Sequence, residues 1–458
     1  MKMMLLNEFR PRLLPAMLGA CALLSATALT LGAENWPQFR GPGATGYSPT
    51  PAPVTWNVDT GENLLWRTPV PGLGHASPVI WGDRIFVATA VKPGAKPELK
   101  VGLYGEISSY TEKEPHQWRL LCLSRATGQI LWDRLAREGV PSAPRHTKAT
   151  QCNSTPATDG ERVVAFFGSE GLNAFDLAGN PLWHKEFGSL DAGYYAVPDT
   201  HWGFATSPVL HQGRVVVQCD VGKQQFLAVL DAKDGHELWR TPRTDVPTWS
   251  TPLVAGEGAH AQIIISGWKQ TGGYDFATGK ELWHLKGGGD IPVASPIQSG
   301  EFAILTSAHG ANRPFRAIRF ATATGDISPA EIGGTNQAIA WCQPRKGNYL
   351  ETPLAVGDQV WGSIDGLATC FDRASGRINY SERLGKSGQS FSASPIAAKD
   401  RLYFTDEHGF VYVVPAAPQF SVVATNQLGG LSLATPAAAD GVLYFRTTEA
   451  LLAIGKKP

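Results

Sequence analysis

A chain of 458 residues with 50 glycines, 33 prolines and 14 tryptophans has the composition of a large, turn-rich and aromatic folded protein, which excludes extended disorder. Forty Lys and Arg residues balance forty Asp and Glu residues. Without net positive charge, the chain has no basic field that would hold nucleic acid or an anionic membrane surface by counterion release.

The first 33 residues have the layout of an export signal. Three basic residues precede an apolar stretch that ends in small residues near Ala33. We therefore expect this segment to be removed, and residues 34–458 to form one domain in the periplasm or outside a bacterial cell. The sequence LGAC ending at Cys21 is an alternative lipidation site, although the apolar stretch continues past it. No later stretch is long and apolar enough to span a bilayer.

Five cysteines follow this segment, and they are far apart: Cys122, Cys152, Cys219, Cys342 and Cys370. An odd number cannot all pair, and no spacing is typical of zinc ligation or haem attachment. The sequence indicates buried strand thiols, with one disulfide as the alternative in an oxidising compartment.

A four-strand pattern recurs along the rest of the chain and is clearest from Ser207 to Pro242. Two apolar runs separated by a glycine-containing turn are followed by a second pair, FLAVLD and ELWRT, separated by AKDGH. Each unit opens with Ser-Pro or Thr-Pro, because proline is tolerated at the first position of a strand. The eight openings are Ser77, Thr155, Ser207, Thr251, Ser295, Thr352, Ser394 and Thr435. Their shortest spacings, about 41 to 44 residues, are typical of propeller blades.

Two longer spacings carry insertions. Residues 91–118 separate the second and third strands of the first unit, and residues 191–203 precede the third unit. The first insertion contains Tyr104, Tyr110 and Trp118. It is either a lid over one face of the disc or a surface for a protein or glycan partner.

A tryptophan follows the turn glycine by four residues in four units: Trp132, Trp183, Trp239 and Trp283. One blade cannot bury such a side chain alone, so we predict that these four residues and Trp66 are structural wedges between blades. Tyr380 replaces Trp in the sixth unit and Pro329 stands at the equivalent place in the fifth. The seventh unit has lost both the glycine and the Trp. Unit boundaries are therefore weakly defined between Phe315 and Glu351.

The two ends of the chain complement each other. A strand-like run around Trp66 resembles a fourth strand without its first three, and the eighth unit ends after three strands. These features predict an all-β, eight-bladed propeller of four-stranded antiparallel blades, in which the N-terminal strand completes the C-terminal blade.

The motif AVLD-x-x-x-G-x-x-x-W at residues 228–239 and DFATGKELW at residues 275–283 resemble the tryptophan-docking repeats of the pyrroloquinoline quinone (PQQ)-like eight-bladed propellers. That superfamily includes quinoprotein alcohol dehydrogenases, the BamB-type assembly lipoprotein and exported bacterial propellers of unknown role. WPQFRGP at 36–42, GLYGEI at 102–107 and TPRTDVPTWSTP at 241–252 are similar to the last group. The resemblance implies an architecture and leaves the activity open.

Residues just before each opening are expected around one mouth of the central channel, because the first strand of each blade lines it. They are His75, Asn153, Ala205, Trp249, Val293, Glu351, Ser392 and Leu433. Of these, His75, Asn153, Trp249 and Glu351 carry groups that hold ligands, and Trp202, with His201, joins them from the second insertion. The alternative is that these polar groups bond only to water and backbone. Asp220 is expected to cap a turn.

A quinoprotein dehydrogenase, as the resemblance implies, would hold PQQ, an oxygen-rich calcium site, a catalytic Asp and a disulfide between adjacent cysteines. Trp249 would be the floor under the quinone and Glu351 a calcium ligand. However, the adjacent cysteines are absent and no motif assigns the catalytic Asp. We therefore expect no cofactor or metal, and a binding or scaffold module for a protein, glycan or small ligand. A PQQ-dependent dehydrogenase is the alternative.

Overall fold

The computed structural model describes residues 1, 33–95, 99–102, 108–197, 199–222 and 224–457. The export signal with Cys21, and Tyr104 with most of GLYGEI, lie outside the described residues. No helix in the described part of the chain is long and apolar enough to cross a membrane.

The described residues form eight antiparallel blades of four strands, and two of the blades carry a short fifth strand that is parallel to its neighbour. In seven of the eight, the four blade strands follow one another in chain order across the sheet. This is the predicted eight-bladed propeller, and blades are numbered here from the unit that opens at Ser77. The strands of blades 1 to 4 are, in turn, Val79–Trp81, Arg84–Val91, His116–Ser124 and Ile130–Gly139; Ala157–Thr158, Arg162–Phe166, Leu172–Asp176 and Pro181–Lys185; Val209–His211, Arg214–Val221, Gln224–Asp231 and Glu237–Pro242; and Leu253–Ala255, Gln262–Ile265, Thr271–Asp275 and Glu281–Leu285.

The strands of blades 5 to 8 are, in turn, Ile297–Ser299, Phe302–Thr306, Phe315–Arg319 and Ile339–Gln343; Leu354–Val356, Gln359–Ile364, Leu367–Asp372 and Ile378–Arg383; Ile396–Ala398, Arg401–Thr405, Phe410–Pro415 and Ala424–Gln427; and Ala437–Ala439, Val442–Arg446, Ala450–Ile454 and Leu64–Pro69. The remaining short elements are the strands Tyr47–Ser48, Ser109–Tyr110, Arg145–His146 and Gly325–Asp326 and the 3-10 turns Pro42–Ala44, Gly168–Glu170 and Gly258–His260.

Blade 8 joins the two ends of the chain. Its outer strand, Leu64–Pro69, runs antiparallel to Ala450–Ile454, and Trp66 lies opposite Ala453. The pairing confirms the predicted ring closure. It also protects the edge of a strand whose residues are almost completely buried.

The opening residues form a hydrogen-bonded chain around the channel. The backbone N–H of each donates to the side-chain hydroxyl of the next, as from Thr155 to Ser207 at 2.9 Å and from Ser207 to Thr251 at 3.1 Å. Seven such bonds join successive blades from Ser77 to Thr435 within the described residues. Seven of the eight opening hydroxyls, all except that of Ser77, therefore link blades, a role separate from that of the proline beside each of them.

Four tryptophans lie between blades in the same way. The indole N–H of Trp239 donates to the Phe276 carbonyl in the turn of the next blade at 3.3 Å. A Cβ atom on Gly279 of that turn would overlap the Trp239 ring. The same arrangement joins Trp66, Trp132 and Trp183 to the following blades.

Blades 4 and 5 differ from the sequence interpretation. Trp283 is fully buried, but its indole N–H donates to Gln262 of its own blade at 3.0 Å. Trp341, rather than Pro329, stands in the outer strand of blade 5, where it donates to the Arg373 carbonyl of blade 6 at 2.8 Å. The sequence missed this wedge because the intervening chain first adds Gly325–Asp326 to the edge of blade 4.

The N-terminal residues 36–48 cross one end of the channel. Trp36 pairs through its backbone with blade 1, whereas the buried Arg40 side chain donates to proline carbonyls of blades 6 and 7. Because one short segment contacts blades on opposite sides of the ring, it closes this end. Burial lowers the pKa of Arg40 to about 9.

The first insertion is shorter than predicted. The third strand of blade 1 already begins at His116, and Trp118 is fully buried with its indole N–H bonded to the Gln151 carbonyl at 2.9 Å. Trp118 is therefore a core residue, not part of a partner surface. Tyr110 remains exposed, and the Arg145 guanidinium lies 4.9 Å from the centre of its ring.

Two further expectations concern buried groups. The five described cysteines are all free, and only Cys342 is partly exposed, in agreement with the thiol interpretation. Asp220 does not cap a turn, because its carboxylate is fully buried in an ion pair with Arg243 at 2.9 Å. Removal of either partner would leave an uncompensated charge in the interior, which is strongly destabilising.

Candidate functional site

A cavity of about 680 Å³ occupies the channel. Its volume falls in the range of roughly 300–1,000 Å³ that is common for small-ligand sites. Phe39 of the N-terminal segment contributes to its lining, as do all eight opening residues. Seven of the eight residues predicted at the mouth also line it: His75, Asn153, Ala205, Trp249, Val293, Ser392 and Leu433.

The side chains of His75 and Asn153 form hydrogen bonds with backbone carbonyls. The His75 Nε2 atom lies 2.8 Å from the Lys148 carbonyl, and burial lowers the pKa of this histidine to about 4, so it is neutral near pH 7. Both donors of the Asn153 amide are used, on the carbonyls of Thr150 and Phe204 at 3.0 Å each.

Glu351 does not line the cavity. Leu350 takes its place there, and the Glu351 side chain is buried, with the Ser363 hydroxyl 3.3 Å from Oε1. Burial raises the pKa of Glu351 to about 8. Because side chains alternate along extended chain, the residue one before the opening points away from the channel, whereas the residue two before it points in.

An aromatic wall runs along the cavity. The ring centres of successive members lie 6.1 Å apart for Tyr349 and His309, 5.4 Å for His309 and Tyr194, 5.9 Å for Tyr194 and Trp202, and 5.6 Å for Trp202 and Trp249. All five residues line the cavity. Trp202 therefore joins Trp249, as predicted, whereas His201 is not among the lining residues and its Nδ1 instead contacts Asp191.

The charged side chains near the cavity include two cations and two anions. Lys148 pairs with the fully buried Glu407 at 2.7 Å, and Glu407 also accepts hydrogen bonds from Ser392 and from the backbone of Gly102 in the first insertion. Arg313 and Asp365 line the cavity as a second cation and anion. Burial raises the pKa of Asp365.

Asp290 forms hydrogen bonds with two neighbouring members of the aromatic wall, His309 and Tyr194. Its Oδ1 accepts a hydrogen bond from Nδ1 of His309 at 2.6 Å, and its Oδ2 accepts from the hydroxyls of Tyr194 at 3.1 Å and Tyr195 at 3.2 Å. Burial opposes ionisation of this carboxyl, but the three hydrogen bonds outweigh burial and the pKa of Asp290 lies below its usual range.

Sequence reasoning missed His309, Tyr349, Asp365, Lys148 and Arg313. They lie in loops between strands or blades, where no repeat position marks them. Tyr194 and Tyr195 are adjacent in the second insertion. This aromatic pair inside a loop was the one feature of the sequence that could have indicated these residues.

The donors present do not fit an oxygen-rich calcium site beside a quinone. Among the described residues, no group of three or more His, Cys, Asp or Glu side chains could hold a metal ion. Calcium prefers about six to eight oxygens, whereas Glu351 points elsewhere and Glu407 is engaged by Lys148. No chemical step through PQQ follows from this arrangement.

Comparison with known proteins agrees with the fold. Residues 44–193, 172–308 and 202–382 match the family model described as outer membrane protein assembly factor BamB, which together is about three quarters of the chain. A tetrathionate hydrolase of Acidithiobacillus ferrooxidans is 26% identical over 269 residues, which is 55% of this chain and 44% of that protein. The chain thus spans less than half the length of this curated relative.

Solved structures show the same architecture at low identity. BamB from Moraxella catarrhalis matches with a TM-score of 0.54 and 14% identity, covering 77% of this chain and 98% of its own. Quinohemoprotein alcohol dehydrogenase from Comamonas testosteroni matches with a TM-score of 0.58 and 11% identity, covering 93% and 81%. A europium-containing methanol dehydrogenase gives 0.59 and 10%, covering 90% and 89%. These likenesses establish the fold, and the extent of the family match shows that the chain belongs to the PQQ-like propeller family described by the BamB model.

Proposed function

We propose that this protein is an exported binding propeller that holds a neutral saccharide in its central cavity. The observation that carries the proposal is the aromatic wall from Tyr349 to Trp249. A pyranose has a face of C–H groups with slight positive charge, and this face packs well against the negative face of an aromatic ring. Five such rings along one cavity provide several stacking positions.

The polar lining supports a ligand that is rich in oxygen. The hydroxyls of seven of the eight opening residues, all except Ser77, accept backbone N–H groups, and no described residue is found to accept their hydrogens in return. A hydroxyl can donate and accept at the same time, so these groups can still donate to ligand oxygens.

The charges favour a ligand without net charge. Lys148 is paired with Glu407, and the lining also carries one further cation, Arg313, and one further anion, Asp365, so these four charges sum to zero. A strongly anionic ligand would lack a compensating cation, and its desolvation would cost more than it gains.

The proposal is tested by calorimetry of the purified protein with a panel of neutral mono- and disaccharides. We expect binding by at least one of them, weakened at least tenfold in Trp249→Ala and in Trp202→Ala. Trp239→Phe is the matched control, because Trp239 lies between blades outside the cavity, and it should bind as the parent does. Equal loss in all three variants would contradict a site on the aromatic wall.

The same titrations test the other ligand classes. PQQ with calcium, and tetrathionate, should give no heat at micromolar concentration. A calcium-dependent PQQ signal that disappears in Asp365→Asn would favour a dehydrogenase instead. Tight binding of tetrathionate without saccharide binding would favour a sulfur-compound site.

A further inference from the structure

We infer that Asp290 holds His309 with its proton on Nδ1, so that Nε2 faces the cavity as the hydrogen-bond acceptor for a hydroxyl of the ligand. The identity of that ligand rests on the proposed saccharide function, whereas the protonation state of His309 does not.

The hydrogen bonds at Asp290 determine the position of the proton. A carboxylate can only accept, so the 2.6 Å contact between Oδ1 and Nδ1 of His309 requires the hydrogen on Nδ1. A neutral imidazole then has its lone pair on Nε2. No described residue is found to hydrogen-bond that atom, and His309 lines the cavity with a side chain that is 39% exposed.

Two tyrosine rings pack against the ring of His309. Tyr194 meets it edge to face at 5.4 Å, and Tyr349 stacks on it at 6.1 Å. Asp290 itself is only 14% exposed and is fixed by the hydroxyls of Tyr194 and Tyr195. The imidazole therefore cannot rotate to give Nε2 a different direction without breaking several contacts.

The backbone of His309 supports a functional role. Its φ of 85° lies in the left-handed region, which is disfavoured for a residue with a side chain. The side chain packs at the edge of a cavity instead of filling the core, so burial does not repay this cost. Backbone strain of this kind is enriched at ligand-binding sites.

Asp245, which follows the outer strand of blade 3, supports His309 indirectly, through Trp268 and Tyr195. Asp245, in the TPRTDVPTWSTP motif, accepts hydrogen bonds from the backbones of Trp268 and Lys269 at 3.1 and 2.9 Å and so fixes a hairpin of blade 4. The Trp268 ring stacks 5.0 Å from Tyr195. Asp245 is therefore a positioning residue, and the motif supplies both this support and Trp249.

The test begins with nitrogen-15 NMR of the histidine rings, with His309 assigned by comparison with His309→Asn. We expect the parent protein to show His309 protonated at Nδ1. In Asp290→Asn the amide can donate to Nδ1, which moves the proton to Nε2 and replaces the acceptor by a donor. Saccharide affinity should then fall at least tenfold while the melting temperature changes little.

Asp234→Asn is the matched control, because Asp234 makes the same kind of contact, 2.6 Å to Nδ1 of His236, and neither residue lines the cavity. It should leave the protonation state of His309 as in the parent and change saccharide affinity less than threefold. A parent His309 protonated at Nε2, or a proton shift in Asp290→Asn without loss of affinity, would overturn the inference. The expected protonation state in a protein that binds no saccharide would support the Asp290–His309 pair and reject the proposed function.

Discussion

At the scale of single residues, Glu351 shows how one position along a strand changes chemistry. The sequence suggested a metal or ligand carboxylate, whereas the structure gives a buried carboxyl that belongs to the scaffold of blade 6. Such a group affects stability through its proton and not through a ligand.

The pH dependence of Glu351 has a definite sign. Burial raises the pKa from 4.5 to about 8, so the folded protein holds this proton more tightly than the unfolded chain does. The resulting stability is complete below pH ~4.5 and is lost as the pH rises through ~8. Glu351→Gln removes this dependence.

Urea denaturation at pH 4.5 and pH 8 checks the prediction. The parent should lose stability relative to Glu351→Gln by about 3–5 kcal/mol between the two values. Because the other titrating groups are common to both proteins, they cancel in the difference. Parallel plots of stability against pH for the two proteins would show that Glu351 is ionised in the folded protein. Glu351→Gln should leave saccharide affinity unchanged at both pH values.

At the scale of elements, neighbouring blades are joined where a tryptophan ring of one blade packs against a turn glycine of the next. Gly279 has a φ of 73° and a Trp239 ring where its Cβ would be, whereas Gly213 has a φ of 70° with no atom within 4 Å of that position. Both glycines thus require a left-handed backbone, and they differ only in whether an aromatic ring packs against them.

Gly213→Ala should therefore cost only the left-handed backbone, about 1–2 kcal/mol. Gly279→Ala should cost at least about 2 kcal/mol more, because it also displaces a wedge between blades. In a Trp239→Ala background the extra cost should vanish, which a double-mutant cycle measured by thermal unfolding will show. Additive effects would mean that Trp239 and Gly279 are not coupled.

At the scale of the whole molecule, stability depends on a closed ring. Deleting residues 34–70 removes the outer strand of blade 8 together with the segment that closes the channel, and it exposes Ala450–Ile454. We expect loss of a single cooperative melting transition and concentration-dependent association through the open edge.

Complementation separates ring closure from general damage. A peptide of residues 34–70 added to the truncated protein should restore the transition, whereas a peptide with Trp66→Asp should not. A truncated protein that melts like the intact one would show that closure is not required.

The sequence by itself determined the number of blades, the opening residues and four of the wedges, because each depends on local rules that repeat: strand period, turn glycines and proline at strand starts. It also identified Trp249 and Trp202 at the channel. The periodicity failed at blade 5, where an inserted edge strand displaced Trp341 from its expected spacing.

Only the tertiary structure decided the chemistry of the cavity. His309, Asp290 and Tyr349 come from different loops separated by up to about 60 residues, and no local pattern records that they meet. Whether a polar side chain points into the channel or into a blade also depends on a shift of one residue, which separates Leu350 from Glu351. Repeats fix a scaffold through local physics, whereas a binding site depends on long-range proximity that the closed ring alone creates.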